Sequence, residues 1–173
     1  RLSEELLGPN GPSALTVAWK VSEKVQPART KFKVPTVDAP NVNGARALGL
    51  VPGAVGSPQG EADLGALKAA VAAGTVTALY VFDPGPDGSL GDTQWILEAK
   101  AAGRLPLLIV QGVLLTSLAQ AADFVLPGAS FVEKEASYAN DQGRVQGTAR
   151  ALAVPGDALE DWQGVVNLAA ALG

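Results

Sequence analysis

Residues 76–82 constrain the fold more than any other stretch. Ala78-Leu79-Tyr80-Val81-Phe82 is an unbroken apolar run, and a strand apolar at every position reads as one covered on both faces of its sheet. Before it, Leu64, Leu67, Ala70 and Val71 form a helical stripe that stops at Gly74, a residue suited to a helix C-terminus. After it, the turn-rich loop Asp83-Pro84-Gly85-Pro86-Asp87-Gly88 leads into a helix over 93–102, a strand over 107–111, a short helix over 116–122 and a strand over 124–126. Strand, helix, strand, helix, strand at this spacing is the pattern of parallel crossovers. It predicts an α/β fold, a Rossmann-like doubly wound parallel sheet.

The flanks are less regular. Leu15, Ala18, Trp19, Ser22 and Val25 fall at helical spacing behind Ser13, which predicts a helix over 13–25. From Gln26 to Pro58 prolines and glycines recur and a long irregular loop is expected, with one helical turn near 43–48. Residues 128–153 read as an extended arm with a turn at Tyr138 to Arg144. Trp162, Val165, Val166, Ala169 and Leu172 then mark a last helix over 159–172. The whole, 1–173, reads as one partial domain: helix and long loop over 13–58, a parallel βα core over 59–127, and arm plus terminal helix over 128–173.

Composition narrows the function. The chain has no Cys and no His, which excludes iron–sulfur ligation, thiolate or imidazole zinc sites, disulfides and the commonest general base. A net charge of −4 gives no field for a phosphate backbone, so nucleic acid is not an expected partner. The apolar stretch 105–115 is too short, and too broken by Pro106, Gln111 and Gly112, to span a bilayer. Met is absent and the start, Arg1 to Leu7, is charged and lacks a signal-peptide pattern, so an excised part of a larger polypeptide is expected. Lack of Cys and Met beside 12 Pro fits a thermophile's avoidance of labile residues.

In an open parallel sheet ligands sit beyond the C-terminal strand ends, which directs attention to the loops after Phe82, Gln111 and Leu126. Gly85, Gly88 and Gly91 give neither GxGxxG nor a Walker lysine, and Asp83, Asp87 and Asp92 would repel a phosphate lacking a metal. A plain turn with a capped helix is the reading adopted; the spacing does not make a calcium loop either. Glu133-Lys134-Glu135 could supply an acid and a base but reads as an exposed charge triplet. Arg144 and Arg150 could clamp an anion and read as partners in structural ion pairs. Trp19, Trp95 and Trp162 fall on helical apolar faces and are expected to pack in the core or at an interface rather than stack on a base or cofactor.

The segment from Ala121-Ala122-Asp123-Phe124-Val125-Leu126-Pro127 through Gly128-Ala129-Ser130-Phe131-Val132-Glu133-Lys134-Glu135, continued by Tyr138-Ala139-Asn140 and Gly143-Arg144-Val145-Gln146, resembles the ADVVLP and ASFxEKxGTYxNxEGRxQ signature of molybdopterin oxidoreductases. That family includes formate dehydrogenases and periplasmic nitrate reductases. Asn43-Gly44-Ala45 through Leu48-Gly49-Leu50-Val51-Pro52 resembles its NxxGAxxMGxxP stretch. Gly156 to Leu172 resembles its terminal GxAxxDWxIxxxLAxxLG helix, with Asp161-Trp162 in register.

One departure carries weight. Phe82-Asp83-Pro84-Gly85 stands where cofactor-binding members carry Gly-x-Asn-Pro to receive a guanine nucleotide. The resemblance then implies the branch that keeps the fold without the pterin, the large iron–sulfur subunit of respiratory NADH:quinone oxidoreductase (complex I). That branch implies a scaffold segment with no cofactor, metal or catalytic residue of its own, and 2Fe-2S and 4Fe-4S clusters in the Cys-rich part of the subunit. Its partners would be the other peripheral-arm subunits, on the cytoplasmic side of a bacterial inner membrane without insertion. Val125, Leu126, Phe131, Tyr138 and Trp162 would pack, and Arg144 would hold the arm by ion pairing. The alternative is the guanine-dinucleotide-binding half of a molybdenum or tungsten oxidoreductase such as formate dehydrogenase, with Asp83, Gly85 and Gln111 toward the cofactor.

Overall fold

A computed structural model of the chain describes residues 17, 24–31, 34, 41–50, 64–83, 85–87, 90–140 and 142–172. Three parallel strands form its centre: β1 (Ala78–Asp83), β2 (Leu107–Gly112) and β3 (Phe124–Pro127), in the order β1-β2-β3. Tyr80 lies opposite Ile109, Phe82 opposite Gln111 and Asp83 opposite Gly112, while Leu126 and Pro127 flank Gln111 and Gly112 from the other side. The parallel α/β class read from the sequence stands. Among the described residues the sheet propagates in one direction without a reversal.

Helices cover the sheet unequally. Helix α1 (Val42–Ala47) precedes the sheet; α2 (Gly65–Ala72), α3 (Gln94–Ala101) and α4 (Ser117–Gln120) lead into or link the strands, and α5 (Asp161–Leu172) ends the chain. Val71 of α2, Ile96 and Ala99 of α3, and Leu118 and Ala119 of α4 pack with Leu105, Leu108 and Val110 into one buried cluster, flanked by Leu79 and Val81. Because strand residues alternate between faces, these helices share one side of the sheet. The other side carries Tyr80, Phe82, Ile109, Gln111, Phe124 and Leu126. There α5 approaches the middle strand, where a Cβ on Gly164 would stand 3.2 Å from the Gln111 amide.

The unbroken apolar run had implied cover on both faces, and here the structure differs. Phe82 is 45% and Phe124 60% exposed, because among the described residues a single helix meets this side and it stands over the central strand. Val125, Phe131 and Trp162, expected to pack, are not buried within the chain among the described residues. Val125 sits on an edge strand, Phe131 is 73% exposed in a turn and Trp162 59% exposed on the outer side of α5. Leu126 and Tyr138 are half-buried as expected.

Local chemistry sets the element ends. Gly74 adopts φ +72° just past α2, the left-handed stop that the sequence indicated. The Thr116 side chain accepts from the Ala119 amide at 3.2 Å and caps α4. The extended arm is a hairpin of β4 (Ala136–Ala139) and β5 (Val145–Thr148), antiparallel. The helix expected over 13–25 lies outside the described residues except Val17, Lys24 and Val25; Lys24 and Val25 are not helical, and Val25 is exposed. Its cap Ser13, and Trp19, are likewise outside them.

Candidate functional site

The C-terminal crest of the sheet gathers Asp83 from β1, Gln111 and Gly112 from β2, Pro127 at the end of β3 and Gly128 just beyond it. Its strands sit close: a Cβ on Gly112 would stand 2.2 Å from the Asp83 carbonyl oxygen, and the Gly128 amide donates to the Gly112 carbonyl at 2.8 Å. Asp83 is buried. One carboxylate oxygen accepts from the Gly85 amide at 3.0 Å and the other from the Thr116 hydroxyl at 2.6 Å. Asp87 reaches the same turn, and its Oδ1 accepts from the Ser117 amide at 2.9 Å and the Ser117 hydroxyl at 3.0 Å. Asp92 accepts from the Gln94 amide at 3.0 Å, at the start of α3. The three aspartates are therefore turn and cap residues, as their setting in the sequence indicated.

Gln111 is buried and equally committed. Its Oε1 accepts a short hydrogen bond from the Tyr80 hydroxyl, and its Nε2 lies 3.3 Å from Asp161 Oδ1. Asp161 in turn is paired with Lys134. Burial and the nearby Asp161 carboxylate push the Tyr80 hydroxyl above its ordinary pKa, so it remains a donor at neutral pH. Tyr80, Gln111, Asp161 and Lys134 thus form a polar line from the sheet through the first residue of α5 to the arm.

This line corrects the reading of Glu133-Lys134-Glu135 as an exposed triplet. Lys134 is half-buried against Asp161, and Glu133 Oε2 accepts from the Ser130 amide at 2.8 Å, which holds its carboxyl below the usual range; Glu135 alone is exposed. The ion pair expected of Arg144 is also absent among the described residues. Arg144 is exposed, and its backbone amide donates to Asn140 Oδ1 instead. Arg150 does stand 3.9 Å from Glu160. Trp95 packs on the core as expected and donates its indole N–H to the Asp92 carbonyl. The sequence reading missed Thr116, Ser117 and Asp161 as partners. The cap-like Thr116-Ser117 pair and an Asp opening the last helix were the signals that could have found them.

The model of the molybdopterin oxidoreductase family matches residues 22–171. The chain belongs to the molybdopterin oxidoreductase family. Among curated relatives, the F420-dependent formate dehydrogenase 1 subunit alpha of Methanococcus maripaludis is 41% identical over 98 residues, 57% of this chain and 14% of that subunit. The NADH-ubiquinone oxidoreductase 75 kDa subunit of Reclinomonas americana is 51% identical over 45 residues, 26% of this chain and 6% of that subunit. The chain thus spans a small part of either relative. The solved structure of acetylene hydratase from Pelobacter acetylenicus superposes with a TM-score of 0.52 at 22% identity, over 64% of this chain and 16% of that one, and supports the fold.

The guanine-nucleotide form of a pterin, which the resemblance noted in the sequence would place here, does not fit the crest. The Gly85, Gln94 and Ser117 amides and the Thr116 and Ser117 hydroxyls already donate to carboxylates of the chain itself. Loops 83–93, 112–117 and 127–131 hold three Asp and no Lys or Arg. A phosphate charge about 4 Å from a carboxylate is repelled by about 4 kcal/mol at an effective dielectric near 20. Asp83, Gly85 and Gln111, the residues of the cofactor-binding alternative, do meet at one crest but are committed within the chain: Asp83 to Gly85 and Thr116, Gln111 to Tyr80 and Asp161, and a Cβ on Gly85 would stand 2.9 Å from the Leu114 side chain. Among the described residues no group of three His, Cys, Asp or Glu could hold a metal ion, and no helix is long and apolar enough to cross a membrane.

Proposed function

We propose that this chain is a section of the large subunit of an oxidoreductase that takes electrons from a small donor, and that the section is scaffold rather than the seat of the reaction. The extent of similarity carries the reading placed first, a subunit of the formate dehydrogenase alpha type. That match runs through 98 residues, more than twice the 45 shared with the 75 kDa subunit. In this reading a molybdenum or tungsten pterin would be held by other parts of the subunit.

The filled crest favours a second reading, the large iron–sulfur subunit of a respiratory NADH:quinone oxidoreductase. There this section needs no nucleotide. The 2Fe-2S and 4Fe-4S clusters would lie elsewhere in the subunit, and its partners would be other peripheral-arm subunits at the cytoplasmic face of a bacterial inner membrane. Metal and nucleotide analysis of the intact protein separates the two. Stoichiometric molybdenum or tungsten, extractable guanine nucleotide and formate-dependent acceptor reduction support the first. Iron and acid-labile sulfide without molybdenum or tungsten, with NADH-dependent quinone reduction, support the second and remove the first.

A further inference from the structure

We infer that Asp83 and Asp87 form a built-in clasp that fills the anion position of this crest with the chain's own carboxylates, so that the crest itself receives no pterin nucleotide. The inference rests on the family fold and holds whichever of the two readings stands. In parallel α/β sheets the donors that cradle a phosphate are backbone amides and hydroxyls where a strand turns into a helix. Here the turn from β2 to α4 offers three such donors, and all three are taken from across the crest by the loop after β1. Asp83 accepts from the Thr116 hydroxyl, and a single oxygen of Asp87 accepts from both the amide and the hydroxyl of Ser117.

The remaining Asp83 oxygen turns back to the Gly85 amide and closes its own loop. That loop lies on Leu114, since even a methyl group added at Gly85 would meet its side chain at 2.9 Å. An incoming phosphate would have to displace two carboxylates and then remain beside them. The three crest loops hold no Lys or Arg of their own, and the lysines that reach the crest, Lys68 and Lys134, are each paired with an aspartate, Asp92 and Asp161. Charge-assisted bonds of this kind are the stronger class of hydrogen bond, and Asp83, being buried, cannot rotate into water without opening the turn. The clasp joins the two loops and leaves Val113, Leu114 and Leu115 exposed at the tip.

The test uses the intact subunit purified in its natural assembly. Guanine nucleotide released by acid is quantified per protein for the parent, for Asp87→Ala and for Asp83→Asn. Amide exchange is followed across residues 83–94 and 112–117 with and without a large excess of GDP. Asp87 is exposed, so Asp87→Ala retains the fold, and the parent protein with GDP needs no variant at all. The clasp predicts the same nucleotide content in all three proteins, no protection of these amides by GDP, and faster exchange at Ser117 in Asp87→Ala. Nucleotide content that falls in either variant, or protection of 83–94 and 112–117 in the parent, overturns it. A protein with no guanine nucleotide at all supports the clasp while removing the formate-type reading, so the two fail separately.

Discussion

At Gly112 an added Cβ would stand 2.2 Å from the Asp83 carbonyl oxygen on the neighbouring strand, and a paired backbone yields far less readily than a side chain. Gly112→Ala should therefore destabilise by about 3 kcal/mol, the upper end of ordinary overpacking. Gly74 also has a fixed requirement, φ +72°, but open space around it, so Gly74→Ala should lose only about 1 kcal/mol. Equal denaturation midpoints for the two variants would show that β1 and β2 part easily. A second residue-scale test concerns pH. Asp123 is chelated by Lys100 Nζ at 2.6 and 2.7 Å and accepts from the Leu108 amide at 2.7 Å. The Lys100 bond first, then the Leu108 amide, hold its carboxyl below the ordinary aspartate value. Its stabilising contribution is present above the unfolded aspartate pKa, about 3.9, and is lost as pH falls through the lower folded value. Melting temperature against pH should fall less steeply below about pH 4 in Asp123→Asn than in the parent; parallel curves would remove Asp123 from the acid transition.

Among the elements, α4 depends most on its surroundings. Four residues cannot sustain a helix alone, so its cap at Thr116 and the burial of Leu118 and Ala119 must hold it. Leu118→Ala should lose about 2–5 kcal/mol in denaturant unfolding, whereas Phe131→Ala, at an exposed turn, should stay within about 0.5 kcal/mol. A large loss at Phe131 would mean that the arm packs more tightly than its exposure shows. Elements of this kind differ in how plainly a sequence announces them. The strands were legible because Ala78 to Phe82 and Leu107 to Val110 leave few other options, and α2 because Leu67 and Val71 end at a glycine. Helix α5 was legible as a helix but not in its orientation. Val165, Leu168 and Ala169 are half-buried while Trp162 and Val166, on an adjacent apolar stripe, are exposed, and periodicity alone ranks the two stripes equally. The crest was legible only as three aspartates in turns. Which donors they take depends on loops brought together by the parallel register, information that no single loop contains.

At the scale of the molecule, the buried cluster among the described residues lies on one side of the sheet, and the hairpin is a separate two-stranded sheet. A two-stranded hairpin is marginal alone, and β5 is exposed at every residue. Its ties to the chain's earlier part are specific. Asn43 Nδ2 donates to the Asn140 carbonyl at 2.9 Å, and the Ala139 amide donates to Asn41 Oδ1 at 2.8 Å. Asn41 meets this demand in a left-handed conformation, φ 62°, that Asn tolerates better than most residues. Stability should therefore be graded, with amides of β2 protected to the global limit and those of the hairpin opening at lower free energy. Asn41→Ala loses the acceptor and strains the backbone, while Asn41→Gly loses the acceptor alone. Native-state hydrogen exchange should show hairpin amides 136–148 exchanging faster in both variants, more so in Asn41→Ala, with β2 amides 108–111 less affected than the hairpin. Uniform acceleration across β2 and the hairpin would instead make the described residues one cooperative unit.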